Sequence, residues 1–178
     1  LGVQAAGIPW WTYDAGGFFR PHDQYTNADY VERMLRWIQV AAFLPFMRVH
    51  GYMSRTEPWR YSAETERIFR QAIETRKQLA PYLEKCAAMV SDQDYTMMRP
   101  LVFDFASDAE ALKQDTEYML GPELLVCPVL KAGVAEWTVY LPENGSGWKD
   151  FWTGQVYDGG RYLTLPVTLD HIPVFKRL

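Results

Sequence analysis

With 178 residues and 48% hydrophobic content, the chain can bury one ordinary core or the ends of two adjoining domains, which argues against disorder. Its formal charge of −4, from 18 basic and 22 acidic residues, lacks the concentrated positive field that a nucleic-acid backbone requires. No apolar run reaches the ~20 residues of a membrane span. Two cysteines, Cys86 and Cys127, are too few for a disulfide framework and leave the compartment open.

The segment Gly2 to Asp14 is apolar and rich in β-branched and aromatic residues, and it stops at Ala15-Gly16-Gly17. It reads as a buried strand ending in a glycine turn, with Asp14 at its C-terminal end. From Asp29 to Ala42, Val31, Met34, Leu35, Ile38, Ala41 and Ala42 make the stripe of an amphipathic helix, with Asp29 as its cap. Phe43 to Gly51 reads as a second short strand, so strand, helix and strand form a βαβ unit. A long helix is expected from Ser62 to about Val90, kinked or divided at Pro81.

After Asp94 the chain turns to short runs between Gly, Pro and Asn: Thr96–Phe105, Leu124–Val129, Glu136–Leu141, Trp148–Trp152 and Tyr162–Val167. This is the spacing of an antiparallel sandwich, with a short helix near Ala109–Gln114. The expected domains are 1–92 and 93–178, packed together because no flexible linker separates them. Both cysteines fall in apolar surroundings and read as buried thiols.

In a parallel α/β barrel, functional side chains stand at the C-terminal strand ends around a single mouth. Asp14 and His50 end successive strands and would share that mouth. Taken alone, Asp14 also reads as a turn residue, and Arg48 and His50 as an ion-pair member and a satisfied buried histidine. The seven Trp, eleven Tyr and nine Phe suit the apolar faces of sugars and hydrophobic cores alike. His22, His50 and His171 have no metal-ligand spacing, and no metal or other cofactor is implied.

Gly7-Ile8-Pro9-Trp10-Trp11-Thr12-Tyr13-Asp14-Ala15-Gly16-Gly17-Phe18 resembles a segment of glycoside hydrolase family 31. The resemblance continues in order through Phe43 to Gly51, Glu57-Pro58-Trp59, Met97 to Leu101, Leu124 to Val129, Trp148 to Gly154 and Leu169 to Phe175, covering essentially the whole chain. It implies the last two βα units of an eight-stranded (β/α)8 TIM barrel, followed by a proximal C-terminal antiparallel β-sandwich domain. The earlier strands would lie upstream, and Leu1 is expected to mark a break in a longer protein.

Family members cleave α-linked sugars with retention, using one Asp as nucleophile and another as acid/base. Neither motif that carries these two residues occurs in this sequence, so the resemblance implies no catalytic residue here and an inactive chain when isolated. It does imply four residues lining the sugar pocket. Asp14 and His50 would hydrogen-bond hydroxyls, Phe18 would form an apolar wall, and Arg48 would support the carboxylates. Ala15, where the family often has Ile, would widen that wall.

The implied partner is an oligosaccharide ending in α-linked xylose or glucose. An α-xylosidase on xyloglucan-type chains is the first expectation and an α-glucosidase the second, with a non-catalytic sugar-binding piece as a reading of another class. Two barrel strands without their six partners would also leave an uncovered apolar face around Trp10, Trp11 and Phe46.

Overall fold

A computed structural model describes residues 1–178. The N-terminal part has a single-turn helix α1 (Gly2–Ala5), then helices α2 (Ala28–Ala41) and α3 (Ala63–Gln93). Residues 2–5 are therefore helical and not the strand expected from their apolar texture. The Ala5 and Ala6 amides donate back to Leu1 and Gly2, and Gly7 ends the turn at φ +86, a conformation that costs glycine little.

Residues 8–14 and 46–50 run side by side without forming the two expected strands. They are joined by one backbone hydrogen bond, Ala15 N–H to Arg48 O at 3.1 Å, and by the Thr12 hydroxyl donating to Phe46 O at 2.8 Å. Two short parallel segments without further strands beside them gain little from pairing. Residues 42–45 also depart from strand, because the Arg76 guanidinium collects the carbonyls of Ala42, Leu44 and Pro45 into a turn behind α2.

Asn27, not Asp29, caps α2. Its side chain accepts from Tyr30 N at 3.1 Å, whereas Asp29 sits in the first turn and pairs with Arg33. Ser62 caps α3 in the same way, accepting from Thr65 N. Pro81 neither ends nor divides α3, which runs continuously for 31 residues to a left-handed C-cap at Asp94. No helix is long and apolar enough to cross a membrane.

The C-terminal part holds eight strands: β1 (Met98–Pro100), β2 (Tyr118–Leu120), β3 (Leu124–Val126), β4 (Glu136–Leu141), β5 (Trp148–Asp150), β6 (Val156–Tyr157), β7 (Arg161–Pro166) and β8 (Val174–Arg177). Six form an antiparallel sheet in the order β1-β2-β3-β8-β5-β6, and β4 pairs with β7 in a second sheet. The short helix expected near 109–114 is a 3-10 turn at Ala111–Lys113.

The central strands β2 and β3 of the six-stranded sheet are buried on both faces, and the period of two along its strands decides which neighbour each residue meets. Met119, Leu125 and Phe175 point with Trp148 toward Val139 and Leu141 of β4, forming the core between the sheets. Tyr118, Leu120, Leu124, Val126 and Val174 point the other way, onto Val40, Phe43, Leu79, Leu83 and Cys86 beside α2 and along α3. One core thus runs from the helices into the sheets. Arg36 and Gln39 of α2 reinforce it by donating to Thr168 O and Leu169 O, at 2.7 and 2.5 Å. Cys86 and Cys127 are buried free thiols, and burial pushes both above the usual thiol range.

Glu117, beside β2, carries one unsatisfied charge site into this core. One carboxylate oxygen accepts from Tyr140 N at 2.9 Å, the other is buried without a partner, and burial pushes the carboxyl up to about 7. A carboxyl raised in the folded state is protonated in the native form while the unfolded chain has already ionised. The stability that Glu117 contributes is therefore expected to be full below pH 4.5 and to fall by about 2–3 kcal/mol as pH rises to 7, then level off. Cys127 beside it stays a thiol throughout that window. Urea unfolding from pH 4.5 to 8 measures this slope, and Glu117→Gln should flatten it and raise stability at pH 8. A slope unchanged in Glu117→Gln would refute the assignment.

Candidate sugar-binding site

Asp14 ends the first extended segment and Arg48 lies near the end of the second, so their side chains meet although 34 residues separate them. Arg48 Nε donates to Asp14 Oδ1 at 2.7 Å, and its Nη2 donates to the same oxygen. Both donors grip Oδ1, which leaves Oδ2 free to accept from a ligand hydroxyl. The Asp14 side chain is only 16% exposed and that of Arg48 56%, so the carboxylate is the sheltered member of the pair and the guanidinium faces solvent. Of the alternatives open for Arg48, the ion pair is realised, with Asp14 as its partner. His50 is exposed, which removes the buried-histidine alternative.

Phe18 stands beside His50 with ring centroids 5.5 Å apart, so the four predicted residues form two contacting pairs, Asp14 with Arg48 and Phe18 with His50. The chain reaches this arrangement because Gly16 and Gly17 adopt φ +85 and +88, turning it sharply after Asp14. Ala15 does not widen a pocket wall as expected. It is fully buried and packs with Ile38, Ala41, Phe69 and Ala72 behind the turn.

Two features escaped sequence reasoning. Phe19 and Tyr52 extend the Phe18 ring into an exposed triangle, with centroids 4.9 to 5.8 Å apart, and Tyr52 N donates to Phe18 O at 2.7 Å. Arg20 and Tyr30 touch the glycine turn directly. Only the adjacency of Phe18 and Phe19 was a usable signal, since the other contacts join separate segments. Glu57 precedes a 3-10 turn at Pro58–Arg60, within which Trp59 is exposed. Trp10 and Phe46 form the expected uncovered apolar patch with rings 5.7 Å apart, whereas Trp11 is half-buried against the main core.

Residues 1–86 match the glycosyl hydrolases family 31 TIM-barrel domain, and residues 94–178 match the glycosyl hydrolase family 31 C-terminal domain. The chain belongs to glycoside hydrolase family 31. It is the end of that family's TIM barrel followed by its C-terminal domain. An alpha-xylosidase of Saccharolobus solfataricus is 43% identical over 177 residues, which are 99% of this chain and 24% of that protein. Neutral alpha-glucosidase C of Mus musculus is 36% identical over 99% of this chain and 19% of its own length. The crystal structure of a family 31 alpha-xylosidase from a soil metagenome, complexed with xylose, superposes with a TM-score of 0.91 at 35% identity, covering 99% of this chain and 29% of that one. The chain thus spans about a quarter of the length of these relatives.

Proposed function

We propose that these residues form part of a retaining α-glycosidase that removes terminal α-linked xylose from xyloglucan-type oligosaccharides. The observation that carries the reading is the Asp14 carboxylate, fixed by Arg48 through one oxygen, together with the Phe18 ring packed beside the exposed His50. A fixed, sheltered acceptor, an apolar ring and an exposed imidazole are what a pyranose needs, with hydroxyls at its rim and an apolar face. In this reading Asp14 and His50 bond hydroxyls, Phe18 packs on the ring face, and Arg48 orients Asp14. Retention needs two carboxyl groups about 5–5.5 Å apart across the anomeric carbon. Those two belong to upstream strands, and residues 1–92 and 93–178 are the barrel end and the sandwich that complete the pocket. Identity to an alpha-xylosidase at 43%, against 36% to a neutral alpha-glucosidase, supports xylose over glucose.

The test compares hydrolysis of chromogenic α-xyloside and α-glucoside by the 178-residue chain and by the natural protein extended upstream. Activity in the longer protein alone, with the xyloside preferred, is the expected result. Preference for the glucoside would change the sugar. Hydrolysis by the 178 residues alone would show that the catalytic carboxylates lie within them. Oligosaccharide binding without hydrolysis in both would establish a non-catalytic binding piece.

A further inference from the structure

The turn after Asp14 is held by side chains that have no place in the pocket. Two successive glycines with positive φ give this segment more freedom than any other stretch of the site, and its carbonyls have no strand ladder to satisfy them. Yet three consecutive carbonyls are each taken by a side-chain donor. Arg20 Nη2 donates to Ala15 O at 3.2 Å, the Tyr30 hydroxyl to Gly16 O at 2.7 Å, and Arg20 Nε to Gly17 O at 3.2 Å.

Arg20 has no carboxylate partner. Its third contact is the Tyr61 hydroxyl at 3.4 Å, which itself donates to Gln24 Oε1 at 3.1 Å. A guanidinium can serve two carbonyls and a hydroxyl together because its donors form a rigid planar fork, which a lysine ammonium does not offer. The fit is close: a Cβ on Gly16 would lie 2.9 Å from Arg20 Nη2, and one on Gly51 would lie 3.2 Å from Arg20 Nε. The same guanidinium therefore touches the turn that carries Asp14 and Phe18 and the segment that carries Arg48 and His50. Burial pushes the Tyr30 hydroxyl well above the usual phenol range, so it remains a donor.

We infer that Arg20 and Tyr30 are positioning residues, which lock the Ala15–Gly17 turn so that the Asp14 carboxylate and the Phe18 ring meet the sugar together. This rests on the reading of Asp14 and Phe18 as sugar contacts. Neither residue touches the ligand; both act through the backbone. A small displacement of a positioned group costs catalysis far more than it costs stability.

The experiment is a double-mutant cycle in the full natural protein containing these residues, with Tyr30→Phe, Arg20→Lys and Asp14→Ala singly and in pairs. Chromogenic α-xyloside and α-glucoside serve as substrates. Tyr30→Phe and Arg20→Lys should each lower kcat/KM by roughly tenfold, and by less than about twofold once Asp14 is Ala. Hydrogen exchange in residues 12–20 should accelerate in both variants while α3 stays protected. Should Arg20→Lys fail to fold, Tyr30→Phe, which deletes one oxygen, carries the cycle alone. A large effect of Asp14→Ala with additive pairs would leave the sugar site standing and overturn the positioning role. A silent Asp14→Ala would overturn the site itself, and the positioning role with it.

Discussion

Asp14→Ala is expected to lower kcat/KM of the full natural glycosidase by about 10²–10³-fold, or roughly 3–4 kcal/mol of transition-state stabilisation. Two losses add. The ligand loses a charged acceptor that Arg48 holds in place, and the partly exposed Arg48 guanidinium loses its only carboxylate. Asp14→Asn keeps the shape and one acceptor oxygen, and should retain more activity than Ala. The folded state should lose under about 1 kcal/mol in either variant, because an ion pair with one exposed partner contributes little to stability. Steady-state kinetics beside a thermal melt separates the two quantities. A melt that falls in step with activity would assign Asp14 to the fold instead of the pocket.

The helices were legible because their signals are local. The stripe from Val31 to Ala42 and the cap at Ser62 placed α2 and α3 to within a few residues. Asn27 outcompeted Asp29 as cap because the helix begins one residue before Asp29, which places Asn27 three residues ahead of the amide it caps. Strands were less legible because their existence depends on partners. Residues 2–14 and 43–51 have strand composition, but each meets only one neighbour and a cation from α3 reshapes the second. Conversely β2, β6 and β8 were missed as separate elements. They are three, two and four residues long, too short to show an alternation that can be read.

The candidate site shows the same division. Asp14, Phe18, Arg48 and His50 could be named because each lies in a recognisable run, and the glycines beside Asp14 announce a turn. What fixes that turn could not be named, because Arg20 and Tyr30 reach it across 3 to 14 residues, Tyr61 backs Arg20 from 41 residues away, and their own neighbours give no hint of a target. The misreading of Ala15 has the same origin: its position in sequence is beside the pocket, but the turn directs its side chain into the core between α2 and α3.

Gly121→Ala tests the junction on which the two parts of the chain depend. Gly121 opens the turn between β2 and β3 at φ +61, and its amide donates to Met97 O at 2.6 Å. The Tyr82 hydroxyl of α3 donates to Leu120 O at 2.7 Å and accepts from Glu123 N at 3.0 Å, so one phenol oxygen bridges both sides of the turn. A methyl group on Gly121 would overlap that oxygen and the Cys86 sulfur. The left-handed backbone costs a non-glycine residue about 1 kcal/mol, and overpacking a closed interface a further 1–3. The expected loss is about 2–4 kcal/mol in urea unfolding followed by tryptophan fluorescence. Cys86→Ala in the same chain removes one of the two overlapping atoms and should restore part of that loss, although by itself it leaves a small cavity. If Gly121→Ala costs under about 1 kcal/mol, the helix and the turn are not in the tight contact described. If Cys86→Ala restores nothing, the backbone conformation and the Tyr82 hydroxyl alone account for the cost.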